Sequence, residues 1–150
     1  MTMKSDPATW WMTTEDYAAR MKGLSINLMV RDVEACVPFH TRVLGATAEF
    51  VCVDFASFVF GEVNWMLHAD HTYDRHPLHR MLTADLDRGV GAELRLNGRD
   101  PDAACAAADL LGCKVLEPAT TKGHGTREAF ILDPEGYLWV PTILAPPILP

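Results

Sequence analysis

An internal repeat is the feature of this sequence that most constrains its fold. Asp32 and Asp100 lie 68 residues apart, and each precedes a helix-like stretch that ends in Leu-Gly, at 44–45 and 111–112. Asp at the first position caps a helix, and Gly after the last turn ends it in the left-handed conformation. Each stretch follows one strand-like segment and precedes three more. The repeat therefore predicts two copies of one βαβββ module.

The strand-like segments flank these two helices and are rich in Val, Phe and Trp. Pro38 falls inside the first helix, where it removes a backbone hydrogen bond and predicts a kink. The fold class is α+β, with an N-terminal extension over 1–23, a first module over 24–69, a His-rich connecting loop over 70–91 and a second module over 92–145. The predicted strands are 25–30, 47–54, 55–60, 63–67, 92–96, 114–116, 128–132 and 137–143.

Charge and cysteine usage narrow the classes of partner. The formal net charge is -7 and the pI is near 5.2, so the sequence offers no basic face for a nucleic-acid backbone. Apolar runs such as 55–60 are shorter than the roughly 20 residues of a membrane span. The four cysteines form no CxxC pair, and the first residues carry no signal-peptide pattern. We expect reduced thiols, a cytoplasmic location and no membrane partner.

The N-terminal extension carries two adjacent tryptophans, Trp10 and Trp11, on an otherwise polar segment. Thr13 or Thr14 provides a cap for a short helix over 15–21, with Gly23 as its terminator. Exposed tryptophan pairs are rare, so we expect these rings to pack against the rest of the chain or a dimer partner rather than to bind a ligand.

Two motifs give the chain a recognisable resemblance. Residues 30–35, Val-Arg-Asp-Val-Glu-Ala, continue into Pro-Phe-His at 38–40 and Val-Leu-Gly at 43–45, and residues 133–139 read Asp-Pro-Glu-Gly-Tyr-Leu-Trp. This pattern resembles the opening helix and the closing hairpin of the vicinal oxygen chelate superfamily, which includes glyoxalase I, bleomycin-resistance proteins and extradiol dioxygenases. The resemblance covers about 24–142 and implies two modules whose curved sheets form a cup.

The resemblance also implies positions for a divalent metal in that cup. The ligands of such enzymes come from the first and last strands of each module, which in this chain correspond to Ser25, Met66 or His68, Glu93 and Val140. Ser and Val are poor ligands and Met is soft, so Glu93 and His68 are the only suitable donors. A catalytic metal needs about three protein ligands. We therefore expect no metal cofactor, as in the metal-free bleomycin-resistance branch.

Further polar residues are candidates for contacts with a ligand. Glu93 and Arg95 alternate along one strand, so they face the same side, either as ligand contacts or as a structural ion pair. His124, between two glycines, and Arg127 precede a strand at the expected rim of the cup. Four histidines at the end of the first module and in the connecting loop form either a metal site or part of a solvated segment, and a loop at the mouth of the cup offers hydrogen bonds to a ligand. These histidines are His68, His71, His76 and His79.

These observations predict a protein that binds a small, partly aromatic organic ligand in the cup without the usual metal. The predicted ligand contacts are Ser25, Met66, His68, Glu93, Arg95, His124, Arg127 and Val140. One alternative is a metal-dependent lyase, isomerase or dioxygenase with non-standard ligands drawn from Glu93, His68 and the His-rich loop. A second is a metal-free enzyme that uses Glu93 or His124 as a base. We also expect a homodimer.

Overall fold

The computed structural model describes Asp6 and residues 9–146. Short helical turns supplement the regular elements, at Phe39–Val43 (a π-turn), Asp70–Tyr73 and His79–Met81. No helix in the described ranges is long and apolar enough to cross a membrane. The helices and strands are, in chain order, α1 (Thr14–Arg20), β1 (Ile26–Val30), α2 (Val33–Pro38), β2 (Thr47–Val51), β3 (Phe55–Phe60), β4 (Val63–Ala69), β5 (Leu94–Asn97), α3 (Pro101–Leu111), β6 (Val115–Thr121), β7 (Thr126–Leu132) and β8 (Leu138–Leu144).

The strands form two four-stranded sheets of the same topology. The first has the order β1-β4-β3-β2 and the second β5-β8-β7-β6. In each sheet the first strand pairs in parallel with the last, and the remaining pairs are antiparallel. This confirms the predicted α+β fold of two βαβββ modules. By contacts the described chain divides into two compact units, residues up to Val37 with Ala46–Ala84, and Pro38–Gly45 with the chain from Asp85 onward.

The first module helix changes character at Pro38. The α-helix Val33–Pro38 continues as the wider π-turn Phe39–Val43 and ends before Gly45, whose φ is 70°. Proline has no backbone N–H to donate, so the regular hydrogen-bond pattern cannot pass through it unchanged. The predicted irregularity at Pro38 therefore takes the form of a widened turn.

The helix α3 follows the predicted signals closely. The Asp100 side chain accepts hydrogen bonds from the backbone N–H groups of residues 102 and 103, and Gly112 ends the helix with φ 69°. Its buried residues Ala104 and Ala108 let it pack closely on β6, β7 and β8. The π-turn Phe39–Val43 lies beside α3 in the same unit.

Some strand boundaries differ from the predicted ones. The first strand of the second module starts at Leu94 rather than residue 92, because the Ala92 N–H donates to Gly89 in a turn. The strand β6 extends to Thr121, beyond the predicted end at 116, although it contains Pro118. It lies at the edge of its sheet, where a residue without N–H is tolerated, and its register shifts on both sides of Glu117.

Candidate functional site

One face of the first sheet combines aromatic and polar side chains. Side chains alternate along a strand, and cross-strand partners share a face. Ser57 pairs with Met66, Phe55 with His68 and Asn27 with Met66. We call the face defined by Asn27, Phe50, Phe55, Ser57, Met66 and His68 the arm face.

The N-terminal segment packs on this face, and we call residues 9–22 the aromatic arm. Trp10 stacks on Phe55 with 5.0 Å between ring centroids, and Trp11 stacks on Phe50 at 4.7 Å. Tyr17 is buried, and its hydroxyl lies 3.2 Å from the Ser57 hydroxyl. The expectation that the two tryptophans pack against the rest of the chain is confirmed.

A chain of hydrogen bonds fixes His68 on the same face. The Asn27 amide N–H₂ donates to the Tyr73 hydroxyl over 2.6 Å, so its carbonyl oxygen turns to His68 Nδ1, at 2.7 Å. Nδ1 therefore donates, and Nε2 is left as an acceptor. Burial lowers the pKa of His68 to about 4, partly opposed by the charge of Asp54. The imidazole is thus neutral at physiological pH.

The second sheet carries a charged cluster on the face opposite α3. The Arg95 guanidinium donates to Glu93 at 2.9 Å and also to Glu128. Glu128 is buried, whereas the side chains of Arg95 and Glu93 are 36% and 47% exposed. Burial alone raises the pKa of Glu128, but hydrogen bonds from Arg95 and Thr126 outweigh it and hold the pKa below its ordinary value. The cluster therefore contains two carboxylates and one guanidinium.

The two predicted ligand contacts within residues 124–127 lie on opposite faces of the second sheet. His124 Nε2 lies 2.7 Å from the Thr126 hydroxyl and 3.8 Å from Glu128, at the edge of the charged cluster. Arg127 instead donates twice to Asp102 of α3, at 2.6 and 2.7 Å. Strand alternation explains the split, because Thr126 and Glu128 share one parity and Arg127 has the other. The structure thus brings His124, but not Arg127, to Arg95.

An apolar cavity of about 430 Å³ opens on the second unit. Leu132 and Leu138 pair across β7 and β8 and have the same strand parity as Glu128 and Val140, so the cavity and the charged cluster share one face of the sheet. We call the face of the second sheet that carries both the cavity and the charged cluster the ligand face. The lining residues are Asp87, Gly89, Val90, Gly91, Ala92, Lys114, Leu116, Leu132, Gly136 and Leu138.

The positions to which the resemblance assigns metal ligands do not fit a divalent metal. Ser25 is exposed just before β1, Met66 packs with Tyr17, and Val140 has no donor atom. Glu93 is held by Arg95, whose fixed positive charge opposes a cation beside it. Among the described residues, no three His, Cys, Asp or Glu side chains lie together so as to hold a metal ion.

The His-rich connecting segment is tied into the first unit. His71 Nε2 pairs with Asp54 at 2.5 Å, and the Tyr73 ring contacts His68 and His76 edge-on, with centroids 5.4 and 4.7 Å apart. His79 is exposed. The histidines other than His79 are therefore held by contacts with Asp54 and Tyr73.

The contacts predicted from the sequence did not include Asn27, Tyr73 and Glu128. Asn27 lies opposite Met66, and Arg95 lies opposite Val140. The strand-pairing positions thus correspond in the two modules, 68 residues apart. The 68-residue repeat was the signal in the sequence that would have identified Asn27 as the residue equivalent to Arg95 in the first module.

Comparison with known sequences assigns the family. The sequence profile of the Glyoxalase/Bleomycin resistance protein/Dioxygenase superfamily matches residues 24–140. The chain belongs to this superfamily. No curated protein matches the sequence.

Solved structures of other proteins share the fold at low sequence identity. A glyoxalase-related enzyme from Fulvimarina pelagi is 18% identical over 81% of this chain and 87% of its own, with a TM-score of 0.64. A glyoxalase/bleomycin resistance protein/dioxygenase family enzyme from Burkholderia phytofirmans PsJN is 18% identical over 80% and 96%, with a TM-score of 0.66. TioX from Micromonospora sp. ML1 is 18% identical over 85% and 100%, with a TM-score of 0.58. At this identity the likeness concerns the fold alone.

Proposed function

We propose that this chain binds a small, partly aromatic organic molecule on the ligand face of its second sheet, without the divalent metal used by many superfamily enzymes. The observation that carries the proposal is an apolar cavity of about 430 Å³ on the same face as the cluster of Arg95, Glu93 and Glu128. Small-molecule sites combine apolar walls with a few fixed polar groups in this way.

The distance between cavity and cluster suits a molecule of that size. Leu138 lines the cavity, and Val140, two residues further along β8, lies opposite Arg95. Successive positions on one face of a strand are about 7 Å apart. A molecule of two fused rings therefore reaches from the leucines to the guanidinium.

The charges of the cluster indicate which polar group the ligand carries. Glu93 and Glu128 flank one Arg95, so the local formal charge is negative. The exposed parts of Glu93 and Arg95 accept a hydrogen-bond donor on one side and offer one on the other. A neutral or cationic heteroaromatic compound suits this negative charge and these two hydrogen-bonding groups better than an anion does.

A base-catalysed reaction receives less support from these residues. The carboxylate of Glu93 already accepts a hydrogen bond from the Arg95 guanidinium at 2.9 Å, so it is not free to take a proton from a ligand. The side chain of His124 is 64% exposed and lies beside Thr126. We therefore propose binding rather than catalysis.

The proposal extends to a reduced, cytoplasmic homodimer. All four cysteines are free, which suits a reducing compartment. Large side chains such as Val90, Leu110 and Leu144 are more than 80% exposed and offer apolar area to a second subunit. Light scattering after size-exclusion chromatography, with a dimer mass expected, tests the assembly.

A thermal-shift screen of flat heteroaromatic compounds tests the binding. A compound at about 100 times its dissociation constant stabilises the folded state by about 2.7 kcal/mol, equivalent to a rise in Tm of roughly 5–10 °C. Arg95→Lys keeps the positive charge beside Glu128 but loses the planar guanidinium, which donates to Glu93 and Glu128 at once. We therefore expect this substitution to abolish most of the rise in Tm.

The matched control is Arg127→Lys, an arginine on the opposite face, which should leave the shift unchanged. A shift that survives Arg95→Lys would show that the compound does not bind at the cluster. Elemental analysis of protein purified without added metal addresses the alternative, a metal-dependent lyase, isomerase or dioxygenase. Near-stoichiometric Zn, Ni, Fe or Mn, lost in Glu93→Ala, would overturn the metal-free proposal.

A further inference from the structure

The aromatic arm contacts the arm face by stacking of flat rings. The indole of Trp10 lies at 15° to the ring of Phe55, and that of Trp11 lies at 13° to the ring of Phe50. Both are offset-stacked contacts of the kind a flat ligand makes on an aromatic platform. The first sheet thus presents two phenyl platforms, each occupied by a ring of the same chain.

A directional polar contact accompanies the stacking. The Ser57 hydroxyl lies 3.3 Å from the Glu49 carboxylate, to which it donates, and 3.2 Å from the Tyr17 hydroxyl. Because Ser57 has one hydrogen and gives it to Glu49, it accepts from Tyr17. Any group that replaces the Tyr17 hydroxyl must therefore be a donor.

The arm is attached in a way that permits its release. The helix α1 has seven residues, and only Tyr17 among them is buried. A helix of that length is not stable alone in water. The connection to β1 is solvated, since Leu24 is 87% exposed and Gly23 adopts φ 63°. The arm is held by side-chain contacts, the aromatic stacking and an ion pair of Arg20 with Glu49 at 3.0 Å, and residues 9–22 form no strand with the sheet. Segments held in this way open at a lower free-energy cost than the strands themselves.

Release of the arm leaves the rest of the sheet supported. The residues on its opposite face include Val30, Phe58 and Leu67, all of which are completely buried. Strand pairing places Phe58 opposite Trp65, with which it also stacks. The packing of this face does not involve the arm, so the sheet remains assembled when the arm detaches.

We propose that the arm face is a second binding site, for a flat aromatic molecule that carries a hydroxyl or N–H donor, and that the aromatic arm is its internal competitor. The aromatic rings of the ligand take the places of Trp10 and Trp11 on Phe55 and Phe50, and its donor takes the place of the Tyr17 hydroxyl at Ser57. The inference goes beyond the proposed function, because it rests on the first unit alone.

Competition of this kind has a quantitative consequence. The apparent dissociation constant equals the intrinsic one divided by the fraction of molecules with an open arm. A substitution that weakens the arm without touching the face must therefore raise both the open fraction and the affinity by the same factor. Thr13 is suited to this test, since its hydroxyl caps α1 by accepting from the Asp16 N–H.

The experiment compares Thr13→Ala with Thr14→Ala in the full chain, using 2-naphthol as the probe. Thr14 is the next residue but does not cap the helix, so it is a matched control. Trypsin cleavage after Arg20, whose guanidinium is held by Glu49 at 3.0 Å in the closed arm, reports the open fraction, and calorimetry reports the affinity. We expect 2-naphthol to accelerate this cleavage saturably, and Thr13→Ala to raise basal cleavage and affinity alike by about fivefold, the effect of losing one helix cap.

Repeating the titrations in the Arg95→Lys background separates the two sites, since that substitution affects only the ligand face. Retained acceleration there supports the arm-face site whatever the fate of the proposed function. Slower or unchanged arm cleavage with 2-naphthol would show that the arm is a permanent part of the fold. A Thr13→Ala variant with faster cleavage but unchanged affinity would place the compound elsewhere, and either result overturns the inference.

Discussion

Two histidines, His40 and His68, make the stability of this fold depend on pH. His40 is completely buried, with its ring edge-on to Trp139 at 5.5 Å, and burial lowers its pKa from 6.5 to about 3. Burial likewise lowers the pKa of His68 to about 4. In the unfolded chain the pKa of each histidine is about 6.5, so as the pH falls the unfolded state takes up protons before the folded state does.

The sign and size of the effect follow from these values. Because each folded pKa is depressed, the stabilising contribution is complete above about pH 6.5 and is lost as pH falls toward the folded pKa. Between pH 7.5 and pH 5, each histidine costs about 2 kcal/mol of unfolding free energy. Burial raises the pKa of Asp133 to about 6. Protonation of this carboxyl therefore stabilises the folded state by about 1 kcal/mol between pH 7.5 and pH 5, which opposes the effect of the histidines. We expect a net loss of about 2–3 kcal/mol.

Urea unfolding at the two pH values measures this loss, and His40→Gln isolates one histidine. The variant should lose about 2 kcal/mol less than the parent protein between pH 7.5 and pH 5, whatever its absolute stability. His79→Gln, at an exposed position, should behave as the parent does. If His40→Gln proves too unstable to measure, His68→Gln gives the same comparison. Equal pH dependence in a folded buried-site variant and the parent would refute the reasoning.

Two further substitutions test local features of the second unit by urea unfolding. Gly112→Ala places a side chain in the left-handed conformation that ends α3 and should cost about 1 kcal/mol, whereas Gly123→Ala, where φ is not in that region, should change stability by less than about 0.5 kcal/mol. Asp133→Asn removes the carboxyl whose pKa burial raises to about 6, so the variant should lose about 1 kcal/mol more than the parent between pH 7.5 and pH 5; an unchanged pH dependence would show that this carboxyl does not titrate in that range.

The elements of the fold that local chemistry determines could be predicted from the sequence. The bounds of α3 follow from Asp100, Pro101 and Gly112, and each of these residues acts within one turn of its own position. The strand β6 could not be delimited in this way, because Pro118 disfavours a strand unless it lies at a sheet edge. Edge position is a property of the whole sheet, not of the segment.

The candidate site was harder to predict because it depends on strand parity. The sequence motif before β7 drew attention to Arg127, yet the pairing of Glu128 with Thr142 and of Arg127 with Ile143 turns Glu128 to the ligand face. A shift of one residue exchanges the two faces of a strand. Only the register, which the sequence does not state, decides which of the two neighbours meets Arg95.

Strand pairing also explains how the two modules can have the same fold and carry different side chains at equivalent positions. Asn27 and Arg95 occupy corresponding places, opposite Met66 and Val140. Their backbones are fixed by strand pairing and by the opposite, buried faces, so the side chains at these places are free to differ without loss of the fold. In the first module the corresponding face combines aromatic and polar side chains, and the chain covers it with its own rings. In the second module a buried carboxylate and a guanidinium lie on the same face as an open cavity, which is where we expect the ligand to bind first.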